Sequence, residues 1–351
     1  MGMLSGFVAF YGEELVWGIN QGLADINADG GIRGKPVEVN IRDHGSNEFE
    51  KNLAVMVEVL DTDPLIIWGP TDAGTEISTP KSVEAKCLSL QMNVGESIST
   101  MFKPWSVSLI AADKQLSISA MDLWVTKYDP SLKKVVQFSS PDHVVWESFS
   151  LHQREALEGY GIEVVDVPVP IGAVNLSPFV VRALAEEPDA ILFSNGEAAI
   201  ARAIEELRLR GWTDNSKNCL FECAICPDLW EMPEESLNGC WAWNFFNPNA
   251  DMPRAQQLLA DYRAKFDIEP SFHPYKGYDA VMLTKQCFED LKITGDPARL
   301  VEERQAISDY MADCTFNSIF GPRDIVNYTI EEPAWLFVIE GNKLTQGEVC
   351  D

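Results

Sequence analysis

The sequence predicts an α/β protein of two lobes, each a doubly wound parallel sheet flanked by helices. Three observations lead there. Segments of strand period alternate with segments of helical period. The alternation runs in two successive series, which implies two sheets with right-handed crossovers. And 351 residues exceed what one hydrophobic core usually organises.

The elements follow in order. A first strand is expected almost at Met1. Leu15, Ile19, Gly22, Leu23 and Ile26 fall on one helical face, and the run Asn27-Ala28-Asp29-Gly30-Gly31 ends that helix by letting the chain reverse. Val37, Val39 and Ile41 alternate with polar residues, as a half-buried strand requires. Asn47 to Glu50 reads as a capping box opening a helix whose Phe49, Leu53, Met56, Val57 and Leu60 share a face. Pro64 to Trp68 and Leu88 to Met92 read as buried strands, and a long helix covers 112–127.

The second series has strands near Val135 to Phe138, Ile162 to Val167, Ala190 to Phe193 and Cys219 to Glu222. Helices near 145–159, 177–187 and 197–210 separate them, the last with Ile200, Ala203, Ile204 and Leu207 inward and Gly211 as its stop. Gly239 to Phe246 is a further strand, followed by helices near 252–266, 275–291 and 297–313 and closing strands near Asp324 to Tyr328 and Ala334 to Ile339. No low-complexity linker interrupts the chain, so several crossing segments are expected to join the lobes.

Composition narrows the function. Apolar residues make up 46% of the chain, enough for packed interiors, while 27 basic against 54 acidic residues leave a net charge of −27. That balance lacks the basic footprint of a nucleic-acid binder and disfavours anionic membranes. No apolar run reaches the ~20 residues a spanning helix needs. Cys223-Ala224-Ile225-Cys226 has redox or zinc spacing, yet no second pair matches it, so buried thiols are the expectation and no metal site is assigned. The alternative is a disulfide among Cys219, Cys223, Cys226 and Cys240 if the chain is exported. The four histidines (His44, His143, His152, His273) stand in no zinc-helix or nucleophile context, glycine-rich phosphate loops are absent, and no cofactor is expected.

Several stretches carry a resemblance. Ser5 to Gly12 pairs a serine-glycine with a later tyrosine-glycine, and Ile26 to Gly34 reads Ile-Asn-Ala-Asp-Gly-Gly-Ile-Arg-Gly. Asp43 ends the next strand; Tyr160 to Val165, Glu187 to Ile191 and Gly277 to Val281 follow in the same order. These residues resemble the branched-chain amino-acid-binding family, the type I periplasmic solute-binding proteins of ABC transporters. The resemblance implies discontinuous lobes, with residues 1–112 and 241–322 in the first and 113–240 and 323–351 in the second. It implies three hinge crossings, a ligand held at the carboxyl ends of the strands in a cleft between the lobes, and closure by hinge motion. No chemistry on the ligand is implied.

The same resemblance supplies candidate ligand residues. Tyr11 matches a loop tyrosine that leans over the ligand. Thr71, Asp72 and Ala73 match a loop whose serines and amides hold a carboxylate; Ala73 departs from that pattern, and Asp72 also suits a plain N-cap. Asn93, Gly95 and Glu96 match a second loop of the first lobe. In the second lobe the candidates are Ser140 and His143, then Asn195 and Glu197 before a helix, then Glu222 ending a strand. Tyr275 is placed near the hinge. Asp72, Glu96, Glu197 and Glu222 together would give an acidic lining suited to a cationic ligand. Trp146 can line the cleft, although a tryptophan on a helix face is more often core, and Trp105, Trp241 and Trp243 fit either core or cleft wall.

The expected function is therefore capture of a small polar molecule, an amino acid or related amine or amide, for a membrane permease. The protein is expected to be monomeric and periplasmic or otherwise extracytoplasmic, with an export leader lying outside this sequence. A ligand-sensing regulatory or receptor module of the same fold is the alternative.

Overall fold

A computed structural model describes residues 1–6, 9–45, 48–71, 74–92, 101–220 and 227–350. Two sheets organise the chain, and it divides into two units. Unit 1 comprises Met1–Ala112, Met252–Leu258 and Ser271–Glu332; unit 2 comprises Asp113–Asp251, Leu259–Pro270 and Pro333–Asp351.

Unit 1 is built on six strands: β1 (Ile66–Thr71), β2 (Leu88–Met92), β3 (Ser106–Ser108), β9 (Asp313–Ser318), β10 (Gly321–Val326) and β11 (Thr329–Ile330). Their order is β1-β2-β3-β11-β10-β9. The first four neighbours run parallel and the β11-β10-β9 end is antiparallel, so the sheet is mixed where a purely parallel one was expected. Among the described residues its main helices are α1 (Ala9–Ala28), α2 (Phe49–Leu60), α3 (Gly74–Glu84), α9 (His273–Asp290) and α10 (Leu300–Tyr310).

Helix α1 buries Leu15, Ile19, Gly22, Leu23 and Ile26, as its periodicity requires. Gly31 donates to the Ile26 carbonyl at 2.7 Å with φ +78°, which closes the helix. Small residues let α1 and α9 touch backbone to backbone. A Cβ on Gly18 would lie 1.9 Å from the Pro274 carbonyl oxygen, and one on Gly277 2.3 Å from that of Leu15.

The sequence misplaces two features of this unit. Among the described residues no ladder pairs residues 37–41; a lone parallel bridge joins Gly2 to Asp43, so neither this strand nor one at Met1 forms. As a consequence β1 is an edge, and Ile66 and Trp68 are half-buried instead of enclosed. Helix α2 starts at Phe49 with Glu48 as N-cap and no side-chain cap bond; Asn47 lies outside the described residues. Its inward residues are Asn52 and Met56, while Phe49 and Val57 are exposed.

Unit 2 holds seven strands: β4 (Lys134–Ser139), β5 (Glu163–Pro168), β6 (Ala190–Ser194), β7 (Asn218–Leu220), β8 (Trp241–Asn244), β12 (Ala334–Glu340) and β13 (Lys343–Cys350). The order is β13-β12-β8-β7-β6-β4-β5, parallel from β5 to β8 and antiparallel at β12 and β13. Its helices are α4 (Asp113–Leu123, continued by a π-turn over Trp124–Tyr128), α5 (Val144–Gly159), α6 (Ser177–Ala185) and α7 (Glu197–Leu209). Helix α8 (Pro253–Phe266) begins in unit 1 and ends in unit 2. Val135, Val136, Phe138, Ile191, Leu192 and Phe193 are fully buried, with the Phe138 and Phe193 rings stacked 5.4 Å apart. Each such side chain contributes about 1.5–3 kcal/mol of burial.

Three stretches fall in the other unit from the expected one. Residues 241–251 belong to unit 2, because β8 pairs with β7 and β12. Residues 259–270, the later part of α8 and the turn after it, also belong to unit 2. Residues 323–332 belong to unit 1, because β10 pairs with β9 and β11 with β3. For the two strand stretches the cause is the same: strand partners of distant sequence number decide the unit, and periodicity is blind to partners. Trp243 resolves as core, 1% exposed against Phe149, and Trp241 packs on Tyr128.

Candidate functional site

In unit 2 the chain runs from β4 outward to β5, then returns to lay β6 on the other side of β4. The order therefore reverses between β4 and β6. At such a switch point the two following loops part, leaving a crevice at the carboxyl ends of the strands. Ser139 and Ser140 follow from β4, and Asn195 and Gly196 from β6. Each pair leads into a helix N-terminus, α5 with His143 as N-cap and α7 with Gly196 as N-cap. Unpaired N–H groups and the positive end of the helix dipole thus flank the crevice from both sides.

Asn195 is the distinctive group. Its side chain is 0% exposed, and neither Oδ1 nor Nδ2 has a hydrogen-bond partner among the described residues. Ser139 Oγ shares that condition. A buried amide left unpaired costs about 1–3 kcal/mol, so such a residue calls for a reason. Ser140 is satisfied instead: its hydroxyl donates to the Val169 carbonyl at 2.8 Å. His143 is buried, with its ring 4.3 Å from that of Trp146. Trp146 in turn lies against Gly196, where a Cβ would meet its Cη2 at 2.6 Å. Trp146 therefore ties the start of α5 to the start of α7.

A buried polar network beneath holds this arrangement. Gln137 Nε2 donates to Ser194 Oγ at 2.9 Å and to the Ser150 carbonyl at 3.0 Å, and Ser194 Oγ donates to Gln153. Gln137 and Ser194 stand on one face of β4 and β6, and Ser150 and Gln153 on the facing side of α5. These bonds fix α5 on the sheet and so fix His143 and Trp146 at its start.

In unit 1 the equivalent carboxyl edge offers Thr71 at the end of β1 and the N-terminus of α3 at Gly74. Thr71 is buried, with Oγ1 3.4 Å from His44 Nε2. Tyr11, in the first turn of α1, is half-buried and stacks on the His273 ring at 4.7 Å. A cluster that the sequence reading missed supports that stack. Glu14, 1% exposed, accepts hydrogen bonds from Ser271 N at 3.0 Å and from Ser271 Oγ, while Ser271 Oγ lies 2.8 Å from His273 Nδ1. The signal was Ser271-x-His273 before a helix, together with a glutamate on the apolar face of α1. Asp43 caps the bridge at Gly2: burial opposes its ionisation, but bonds from Lys51, Gly45, Ser5 and Leu4 outweigh that and hold its carboxyl well below the usual range.

The predicted residues divide as follows. Ser140, His143 and Asn195 come together at the β4/β6 crevice. Tyr11 and Thr71 lie in unit 1, and Tyr275 is buried there against Phe320 at 4.9 Å. Asp72, Ala73, Asn93, Gly95, Glu96 and Glu222, and the side chain of Glu197, lie outside the described residues, as do Cys223 and Cys226. Cys219 and Cys240 are buried free thiols; burial pushes both upward, Cys240 to about 12. Among the described residues no His/Cys/Asp/Glu group could hold a metal ion, and no helix is long and apolar enough to cross a membrane.

The fold has known counterparts. A family model described as periplasmic binding protein matches residues 1–343. No curated protein sequence matches. Among solved structures, the branched-chain amino acid transporter substrate-binding protein LivJ of Streptococcus pneumoniae, in complex with isoleucine, aligns with a TM-score of 0.85 at 18% identity, covering 99% of this chain and 97% of that one. The leucine-binding protein LivK of Thermotoga maritima aligns at 0.83 and 19% identity, covering 99% and 95%. An ABC-transporter solute-binding protein of Rhodopseudomonas palustris, in complex with 3,4-dihydroxybenzoic acid, aligns at 0.81 and 20% identity, covering 99% and 93%.

Proposed function

This chain belongs to the periplasmic binding protein family, and we propose that it captures a small polar ligand bearing a carboxylate and delivers it to an ABC-type membrane permease from outside the cytoplasm. Membership makes it a binding protein and not an enzyme. The observation that carries the ligand reading is Asn195: a buried, unpartnered amide set between two helix N-termini at a topological switch point. An amide presents a two-proton donor group and a carbonyl acceptor, and the helix starts favour negative charge. A carboxylate beside a second polar group answers both. Isoleucine and 3,4-dihydroxybenzoic acid, the ligands named for two similar structures, share that carboxylate.

The test is a thermal-shift screen of amino acids, aromatic acids, amides and amines. A ligand at 100 times its Kd adds about 2.7 kcal/mol to stability. Carboxylates are expected to raise Tm and to lower the radius of gyration in small-angle scattering as the units close. A screen answered by amines alone would overturn the carboxylate reading and favour the acidic lining.

A further inference from the structure

Helix α9 and strand β9 lie side by side and run in opposite directions, and three hydrogen bonds fix their register. Toward the start of α9, Asp279 accepts from Ser318 Oγ at 2.6 Å and from Ile319 N at 2.8 Å, at the end of β9. Further along the helix, Gln286 Nε2 donates to the Thr315 carbonyl at 2.7 Å. From Asp279 to Gln286 the helix advances about 10 Å, and from Ser318 back to Thr315 the strand covers about the same length. The two elements therefore stay in step. The next residue on each, in the same two directions, is a cysteine: Cys287 after Gln286, and Cys314 before Thr315.

Both cysteines face the space between helix and strand. Cys287 is fully buried. Along β9 the exposed Asp313, Thr315 and Asn317 alternate with Cys314, Phe316 and Ser318, so Cys314 shares the inward face with Ser318. The backbones approach closely. Aspartate is short, and its 2.8 Å bond keeps the Asp279 Cα within about 6.5 Å of the Ile319 nitrogen. A disulfide spans roughly 4.4–6.8 Å between Cα atoms. Tyr310 closes this end of the pair: its hydroxyl accepts from Gln286 Nε2 at 3.0 Å and donates to Asp290 at 2.7 Å. Both thiols are free in this structure. Burial pushes the Cys287 thiol up, and neighbouring Cys314 adds to that; burial, with Asp313, Asp324 and Asp290, pushes Cys314 up to about 11. Once packed, neither is a thiolate at neutral pH, so neither is a reactive centre of the folded protein.

We propose that Cys287 and Cys314 are the two halves of a structural disulfide that staples α9 to β9 when the chain folds in oxidising surroundings. The oxidant is a small disulfide or a disulfide-bearing protein, and the exchange takes place before helix and strand dock, while the thiols still ionise normally. The Cys314 thiolate attacks one oxidant sulfur and expels the other as a thiolate. The Cys287 thiolate then attacks the Cys314 sulfur of the mixed disulfide and expels the second. Two protein thiols lose two protons and two electrons, and the oxidant's disulfide ends as two thiols. Docking then encloses the new bond. Such bonds persist outside the cytoplasm, and the family is described as periplasmic. The staple would secure the last strand of its sheet, which among the described residues has a partner on one side alone.

The test unfolds the whole chain and refolds one portion in mixed oxidised and reduced glutathione and another in reductant alone. Each is alkylated, mapped by mass spectrometry and melted. The oxidised chain is expected to yield peptides joined through Cys287 and Cys314, and to melt about 5–10 °C above the reduced chain. Cys314→Ser and Cys287→Ala should each lose the joined peptides and melt alike with and without oxidant. The comparison of oxidised with reduced unmutated chain depends on neither variant folding. An oxidised, folded chain in which both cysteines are alkylated as free thiols would overturn the proposal. So would a link from either of them to another cysteine, or joined peptides with no gain in Tm.

Discussion

Replacing Asn195 by leucine should stabilise the ligand-free protein while weakening its binding. Each unpartnered end of the buried amide costs about 1–3 kcal/mol, and leucine removes both with the same number of side-chain heavy atoms in the same branched shape. Misfit of shape takes back up to about 1.5 kcal/mol. The position also suits an apolar residue: Asn195 precedes the N-cap Gly196, and Ile200 stands at the fourth helical position, the partner of a hydrophobic staple. Asn195 has no positive φ to strain a leucine. The net expectation is a gain of about 1 kcal/mol, or roughly 2–4 °C in Tm for a domain of this size. Affinity should fall about 10- to 100-fold, the loss of two hydrogen bonds to a ligand with a charged group. Urea denaturation without ligand and calorimetric titration with it measure the two quantities. A leucine variant that is less stable and binds as before would refute the reasoning, because Asn195 would then be an ordinary structural amide.

Other expectations follow from the same geometry. Gly196→Ala drives a methyl to within 2.6 Å of Trp146, so affinity should drop about ten-fold while Tm falls by only a few degrees. Gly277→Ala meets backbone at 2.3 Å, where nothing flexible yields, and should cost about 3 kcal/mol or more in denaturant unfolding. Burial raises the Asp279 carboxyl to about 6, against the lowering effects of Lys276, Ser318 and Ile319. The folded state therefore holds the proton more tightly than the unfolded one; this stabilisation is complete below about pH 4 and is lost as pH rises through 6. Asp279→Asn should flatten that slope in urea titrations between pH 4 and 7. Lys276→Met strands the buried Glu332 and should cost about 3–5 kcal/mol, most of it recovered when Glu332→Leu is added.

Much of this molecule was legible in its sequence, for reasons of period. Helix α1 announced itself through Leu15 to Ile26 and its glycine stop, and β4, β5 and β6 through short apolar runs between helices. Pairing was not legible. Val37 to Ile41 has the alternation of a strand and pairs with no strand among the described residues, and β8 reads as a strand without stating whose sheet it joins. At the site, Ser140, His143 and Asn195 were found by their place after strands, which topology then brings together. Glu14 and Ser271, 257 residues apart, meet only because α1 and α9 cross closely, and the Gln137–Ser194–Gln153 network likewise depends on packing. Polar residues on apolar faces were the available signal in both cases.

The most direct measurement is a crystal structure of the protein with the best carboxylate from the screen. It should place ligand atoms within about 3.2 Å of both Asn195 Oδ1 and Nδ2, with the carboxylate against a helix N-terminus. Ligand density elsewhere, with the Asn195 amide still unpaired, would contradict the account.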